Sequence, residues 1–135
     1  MTTVNIKAVF PCSIQKVWDV VTSLDNTVWR SDLDRIETIN DKQFVEYAKN
    51  GYATAFTITA EKPLELWEFD MENDNMAGHW TGIFSQKNGQ TEIDFTENVT
   101  LKKPIMKLFI KPFLKKQQKK YIEDLKKALK LNSTF

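Results

Sequence analysis

Glu97 is the residue of this chain whose type and place most demand a chemical explanation. It lies in 91–101, which alternates as a strand does, and its parity groups it with Ile93, Phe95, Val99 and Leu101 rather than with Glu92, Asp94, Thr96 and Asn98. A carboxyl on an apolar face must be paired, hydrogen-bonded or protonated. It can anchor a ligand or act as an acid/base of raised pKa, or it can be tied structurally to Arg30, Arg35 or a backbone amide. Glu46 shares a face with Phe44 and poses the same question less sharply, because that face can equally be the outer one. Arg30, within Trp29-Arg30-Ser31-Asp32, can hold an anionic head bidentately or form a salt bridge with Asp32, Asp34 or an outer-strand carboxylate. His79 would be the obvious general base, but alternation turns it away from Trp80, toward the outer face. Tyr47 is a further proton carrier. Cys12 follows Pro11 at a helix start, where a thiol pKa can fall, although most such cysteines are inert.

Two changes of period must position these groups. Residues 4–10 alternate as a strand that Pro11 stops. Ser13 can cap a helix carrying Ile14, Val17, Trp18 and Val21 on one stripe, and Asp25 or Asn26 can cap a second short helix with Val28 and Trp29. From 34 to 101 the period becomes 2: six short strands follow one another, with Asn50-Gly51 and Asn88-Gly89 as two-residue hairpin turns. The turns are too short for parallel crossovers, so the sheet is an antiparallel meander. Its inner face should hold Phe56, Ile58, Trp67, Phe69, Met71, Trp80, Phe84, Ile93 and Phe95. Gly82 and Thr54 on that face leave room between rings. After Pro104, residues 105–131 read as helical, with Met106, Ile110, Phe113, Gln117, Tyr121, Leu125 and Ala128 on one stripe. Pro112 is expected to kink this helix or end its first segment, and Ile105, Leu108 and Phe109 make its first turns apolar nearly all round.

Composition narrows the function. The 135 residues fit one ordinary domain over 1–135, and 41% hydrophobic with 27% charged residues excludes disorder and fibrous repeats. One cysteine and one histidine exclude a disulfide scaffold, a cysteine-based zinc site and a histidine-rich metal centre, so no cofactor is expected. No apolar run is long enough to span a membrane or act as a secretory signal, so the expected setting is cytoplasmic. The net charge of +1 conceals an asymmetry: eleven lysines lie between 102 and 130 against Glu123 and Asp124. That arc is either a solvated face or a contact for an anionic surface. Nucleic acid is not expected, because the lysines are not interleaved with stacking aromatics.

Pro11 followed by Val17-Trp18-Asp19-Val20-Val21, Trp29, Gly78-His79-Trp80-Thr81, Gly89, Thr96-Glu97 and the basic amphipathic helix after Pro104 form a set. With the order of elements, the set resembles the START-like helix-grip superfamily, and within it the bacterial polyketide cyclase/dehydrase and lipid-transport group. The resemblance implies an α+β helix-grip fold, a curved antiparallel seven-stranded sheet in the order β-α-α-β6-α wrapped around a long C-terminal helix. It further implies an apolar cavity between them for a lipid, polyketide or other hydrophobic molecule. The expected ligand-binding residues are Trp29, Phe56, Ile58, Trp67, Phe69, Met71, Trp80, Phe84, Phe95, Glu97, Ile110 and Phe113. The chain is expected to bind and carry such a ligand as a monomer or weak homodimer, without catalysis. The alternatives are a cyclase/dehydratase-type enzyme in the same cavity, with Glu97, Tyr47 or His79 moving a proton, and a module that docks transiently on a membrane surface or partner through the lysine-rich helix.

Overall fold

The two Asn-Gly pairs turn the chain in different ways. Asn88 and Gly89 both take positive φ (54° and 76°), which closes β6 onto β7 by a two-residue turn that pairs Lys87 with Gln90. At Asn50-Gly51 only Gly51 is left-handed (φ 86°); its N–H bonds to the Ala48 carbonyl, and the Asn50 side chain accepts from the Tyr52 N–H, so the loop is wider than expected. The computed structural model describes residues 1–104 and 107–133. Its elements are β1 (Thr2–Phe10), α1 (Ile14–Thr22), β2 (Leu33–Thr38), β3 (Gln43–Ala48), β4 (Ala53–Lys62), β5 (Leu66–Glu72), β6 (Met76–Lys87), β7 (Gln90–Leu101) and α2 (Ile110–Ser133).

The seven strands form one antiparallel sheet ordered β1-β7-β6-β5-β4-β3-β2, so only β1 leaves the sequential meander, to pair with β7. Register shifts between Leu33 and Arg35 and between Ile58 and Ala60 bend it. With α2 across its concave face, this is the α+β helix-grip architecture.

Three details depart from the expectations. The second short helix does not form: 24–32 is a chain of bends and turns. Val28 is 93% exposed, so that segment has no apolar stripe to bury, and the Ser31 N–H bonds to the Asp124 carboxylate on α2 (2.9 Å) instead of to a helix carbonyl. Pro112 neither kinks nor ends α2. The helix begins at Ile110 and its first bond runs from the Phe113 N–H to the Phe109 carbonyl, so Pro112 occupies the first turn, where an N–H has no intrahelical partner. Ile105 and Met106 lie outside the described residues. Leu125 and Ala128 of the expected stripe are buried, but Leu114, Gln118, Ile122, Asp124 and Leu129 are buried too, so the buried face of α2 lies about one position round from that stripe along most of the helix. Buried Gln118 donates to the carbonyls of Val4 and Phe95 (3.4 Å each) and so pins the helix onto the β1–β7 edge.

The core is filled under α1 and the C-terminal half of α2. Ser13 caps α1 by accepting from the Lys16 N–H, and the stripe of Val17, Trp18 and Val21 is buried as expected. Trp18 meets Phe84 edge-on at 5.0 Å, while Val17, Ile93 and Leu125 are fully enclosed. No helix among the described residues is long and apolar enough to cross a membrane.

Candidate functional site

At the other end of the concave face the rings do not fill the space. Strand pairing puts Phe44 beside Phe56, Phe69 beside Trp80, and Trp80 beside Glu97, all with side chains inward. These rings pack against each other along the sheet: Phe44 stacks on Phe56 (4.8 Å) and Phe69 on Trp80 (4.9 Å), with Phe95 4.6 Å from Trp80. Packed against one another in this way they line a wall and leave a cavity of about 610 Å³ between sheet, α2 and the 24–32 segment. Small-molecule sites span about 300–1,000 Å³.

Of the twelve expected ligand-binding residues, ten line this cavity: Trp29, Phe56, Trp67, Phe69, Met71, Trp80, Phe95, Glu97, Ile110 and Phe113. Ile58 and Phe84 do not. Both point inward, but Phe84 lies under Trp18 of α1, and Ile58, beside the β4 bulge, is buried in the core cluster. Gly82 also has another role than the one expected. A Cβ there would lie 2.5 Å from the Trp80 ring, so Gly82 makes space for that indole and not for the cavity. Thr54 does line it. Leu101 and Met76 line it without having been expected; for Leu101 the signal was present, because it shares the parity of Glu97.

Among the described residues four charged ones line the cavity: Arg30, Asp32, Glu46 and Glu97. Arg30 is held by Asp32 through Nε (3.0 Å) and Nη2 (2.9 Å), reaches Glu46 through Nη1 (3.5 Å), and lies over the Tyr121 ring at 4.9 Å. The structural reading of Arg30 therefore describes it. Burial works against its charge, but Glu46 and Asp32 more than offset this and hold it protonated. Burial likewise opposes the charge of Asp32, yet the Arg30 bond keeps its pKa below the usual value. At Glu46 burial prevails over Arg30, and the pKa is raised. Glu46 thus faces inward, one of the two faces left open for it. Burial also raises the phenol of Tyr121, so it stays neutral.

Glu97 is different. Neither Arg30 nor Arg35 reaches it; Arg35 lies over Tyr47 (3.8 Å) and pairs with Glu37. Among the described residues Glu97 has no hydrogen-bond or ion-pair partner. Burial, reinforced by the charge of Glu46, pushes its pKa up to about 7. It can hold or release a proton near neutrality, or receive a polar group.

The other proton carriers lie elsewhere. His79 sits on the outer face as expected, its Nδ1 2.7 Å from Asp70 and its Nε2 3.5 Å from Glu68; the Asp70 bond chiefly raises its pKa. Tyr47 does not line the cavity either. The Cys12 thiol is pushed up by burial, against the lowering that a helix start can give. Among the described residues no group of three or more His, Cys, Asp or Glu is arranged to hold a metal ion.

Solved structures repeat this architecture at low identity. A START superfamily protein from Mycobacterium smegmatis superposes with a TM-score of 0.83 at 10% identity, over 96% of this chain and 97% of that one. A protein from Mesorhizobium loti gives 0.80 at 13%, over 96% and 97%. The di-domain ARO/CYC protein BexL of the BE-7585A biosynthetic pathway gives 0.79 at 11%, over 98% of this chain and 48% of that one. At such identities the likeness concerns the fold. Comparison with curated proteins returns no match. Residues 1–130, almost the whole sequence, match the profile of the polyketide cyclase / dehydrase and lipid transport family, and the chain belongs to that family.

Proposed function

We propose that this chain binds a single small hydrophobic molecule in the cavity between sheet and α2 and carries it, acting over 1–135 as one domain and as a monomer or weak homodimer. The observation that carries the reading is the unfilled half of the concave face: rings stacked along the wall of a void of about 610 Å³ instead of closing it. The family's description, with lipid transport in it, supports the same reading. A cytoplasmic setting suits a chain with one cysteine, which can form no internal disulfide. Native mass spectrometry of the purified protein tests it. A bound mass removed by organic extraction, one per chain, is the expected result; a chain that emerges empty and takes up no apolar probe overturns it.

Glu97 favours a second reading. A carboxyl that titrates near pH 7, lies against the void and has no structural bond among the described residues meets the requirement for one positioned acid/base in cyclase/dehydratase-type chemistry. Approach to a source of ligand has its own feature. Leu108, Phe109 and Phe113 are 85%, 66% and 55% exposed in the turn before α2 and in its first residues, two of them on the cavity rim, with Lys107 and Lys111 beside them. Apolar side chains flanked by lysines suit transient contact with an anionic membrane surface.

A further inference from the structure

We infer that the guest this cavity prefers is a hydrophobic amine, its ammonium seated between Glu97 and Glu46 and its hydrocarbon against the ring wall of the sheet. The inference rests on the ligand-binding reading and sharpens it to a chemical class.

The charges that line the void are unbalanced. Among the described lining residues one guanidinium faces three carboxyls. Arg30 is committed, with Nε and Nη2 on Asp32, Nη1 toward Glu46, and the rings of Trp29 and Tyr121 at 5.8 and 4.9 Å. No cation among the described lining residues is left for an anionic head, and a fatty-acid carboxylate would add its charge to carboxyls that already outnumber the guanidinium. Glu97 has no partner among the described residues, and Glu46 has only the 3.5 Å approach of Arg30. Both carboxyls line the same void, and the charge of Glu46 opposes that of Glu97. An ammonium offers three donors and a positive charge, so it answers both carboxylates and relieves their repulsion. Trp80 pairs directly with Glu97 across β6–β7, so the apolar ring wall begins next to that carboxyl.

The groups facing Glu97 fix how binding depends on pH. Glu46 comes from β3, Arg30 and Asp32 from the segment before β2, and Tyr121 from α2. Arg30 stays charged and Tyr121 neutral, whereas Glu97 passes from mostly protonated at pH 6 to mostly ionised at pH 8. An alkyl ammonium, with a pKa like that of lysine near 10.4, stays charged across this range. Amine affinity is therefore expected to rise by about tenfold from pH 6 to pH 8, the ratio of ionised Glu97.

The test compares dodecylamine, dodecanol and dodecanoate below their aggregation thresholds, followed by the fluorescence of the cavity tryptophans. At pH 8 dodecylamine is expected to bind at least tenfold more tightly than dodecanol, with dodecanoate weakest, and to lose that advantage at pH 6. Glu97→Gln, shown to fold by a cooperative thermal melt, should lose both the preference for amine over dodecanol and its pH dependence. Glu46→Gln should reduce the preference without removing it. Dodecanol or dodecanoate binding as tightly as the amine at pH 8, or an amine preference that survives in Glu97→Gln, overturns the inference and leaves the ligand-binding reading intact. Failure of all three compounds to bind overturns both.

Discussion

Replacing Glu97 by glutamine should stabilise the folded chain at alkaline pH and leave it nearly unchanged in acid. The folded carboxyl titrates near 7 while its unfolded value is 4.5, so below pH 4.5 both states hold the proton and the group has no effect. Between 4.5 and 7 the folded state keeps a proton that the unfolded chain has lost, and stability falls as pH rises. At about 1.4 kcal/mol per pKa unit the loss by pH 8 approaches about 3.4 kcal/mol, an upper figure because water at the cavity mouth screens the charge. A glutamine side chain has nearly the same shape and no charge to desolvate. Urea unfolding at pH 5, 6, 7 and 8 should show the midpoint of the parent falling relative to Glu97→Gln by roughly 1–2 M, with equal slopes. Midpoints that run parallel would refute the reasoning, because they would mean that Glu97 is fully solvated in the folded chain. A variant less stable than the parent at pH 8 would refute it differently, by revealing a partner that holds the ionised carboxylate.

Further substitutions separate packing from cavity. Gly82→Ala drives a methyl to 2.5 Å from the Trp80 ring, and overpacking of this kind costs about 1–3 kcal/mol; thermal melts should show the loss, and tryptophan emission should report an indole displaced toward the void. Phe84→Ala should cost about 3–5 kcal/mol of stability while leaving probe affinity within twofold, since Phe84 packs under Trp18 outside the cavity. Ala48→Phe, on the cavity lining, should do the reverse: chemical unfolding nearly unchanged and probe affinity much reduced.

Which face a residue takes is a local property, and it was legible. Strict alternation in 91–101 placed Glu97 inward and the same rule sent His79 outward. How far along the face a residue lies is a tertiary property, and it was not. Phe84 and Phe95 share their inward orientation, but α1 covers one and leaves the other against the void. The short helix expected around Val28 and Trp29 failed for a related reason. Its caps are good local signals, but Ser31 and Arg30 have better partners in Asp124, Asp32 and Glu46, distant or non-helical, that no short window contains. Gly82 shows the limit of reading small residues as empty space, since a neighbouring ring had already taken that space. The charge balance of the cavity needed the coordinates too, because Glu46 could be assigned inward only once β3 was paired with β4.

Titration with N-phenyl-1-naphthylamine, a neutral apolar dye, measures most directly whether the space between sheet and α2 admits a guest. The account predicts saturable binding of one dye per chain, quenching of the cavity tryptophans, and loss of both in Ala48→Phe. Binding that never saturates, or that is unchanged when the phenyl ring introduced by Ala48→Phe occupies the void, would contradict it.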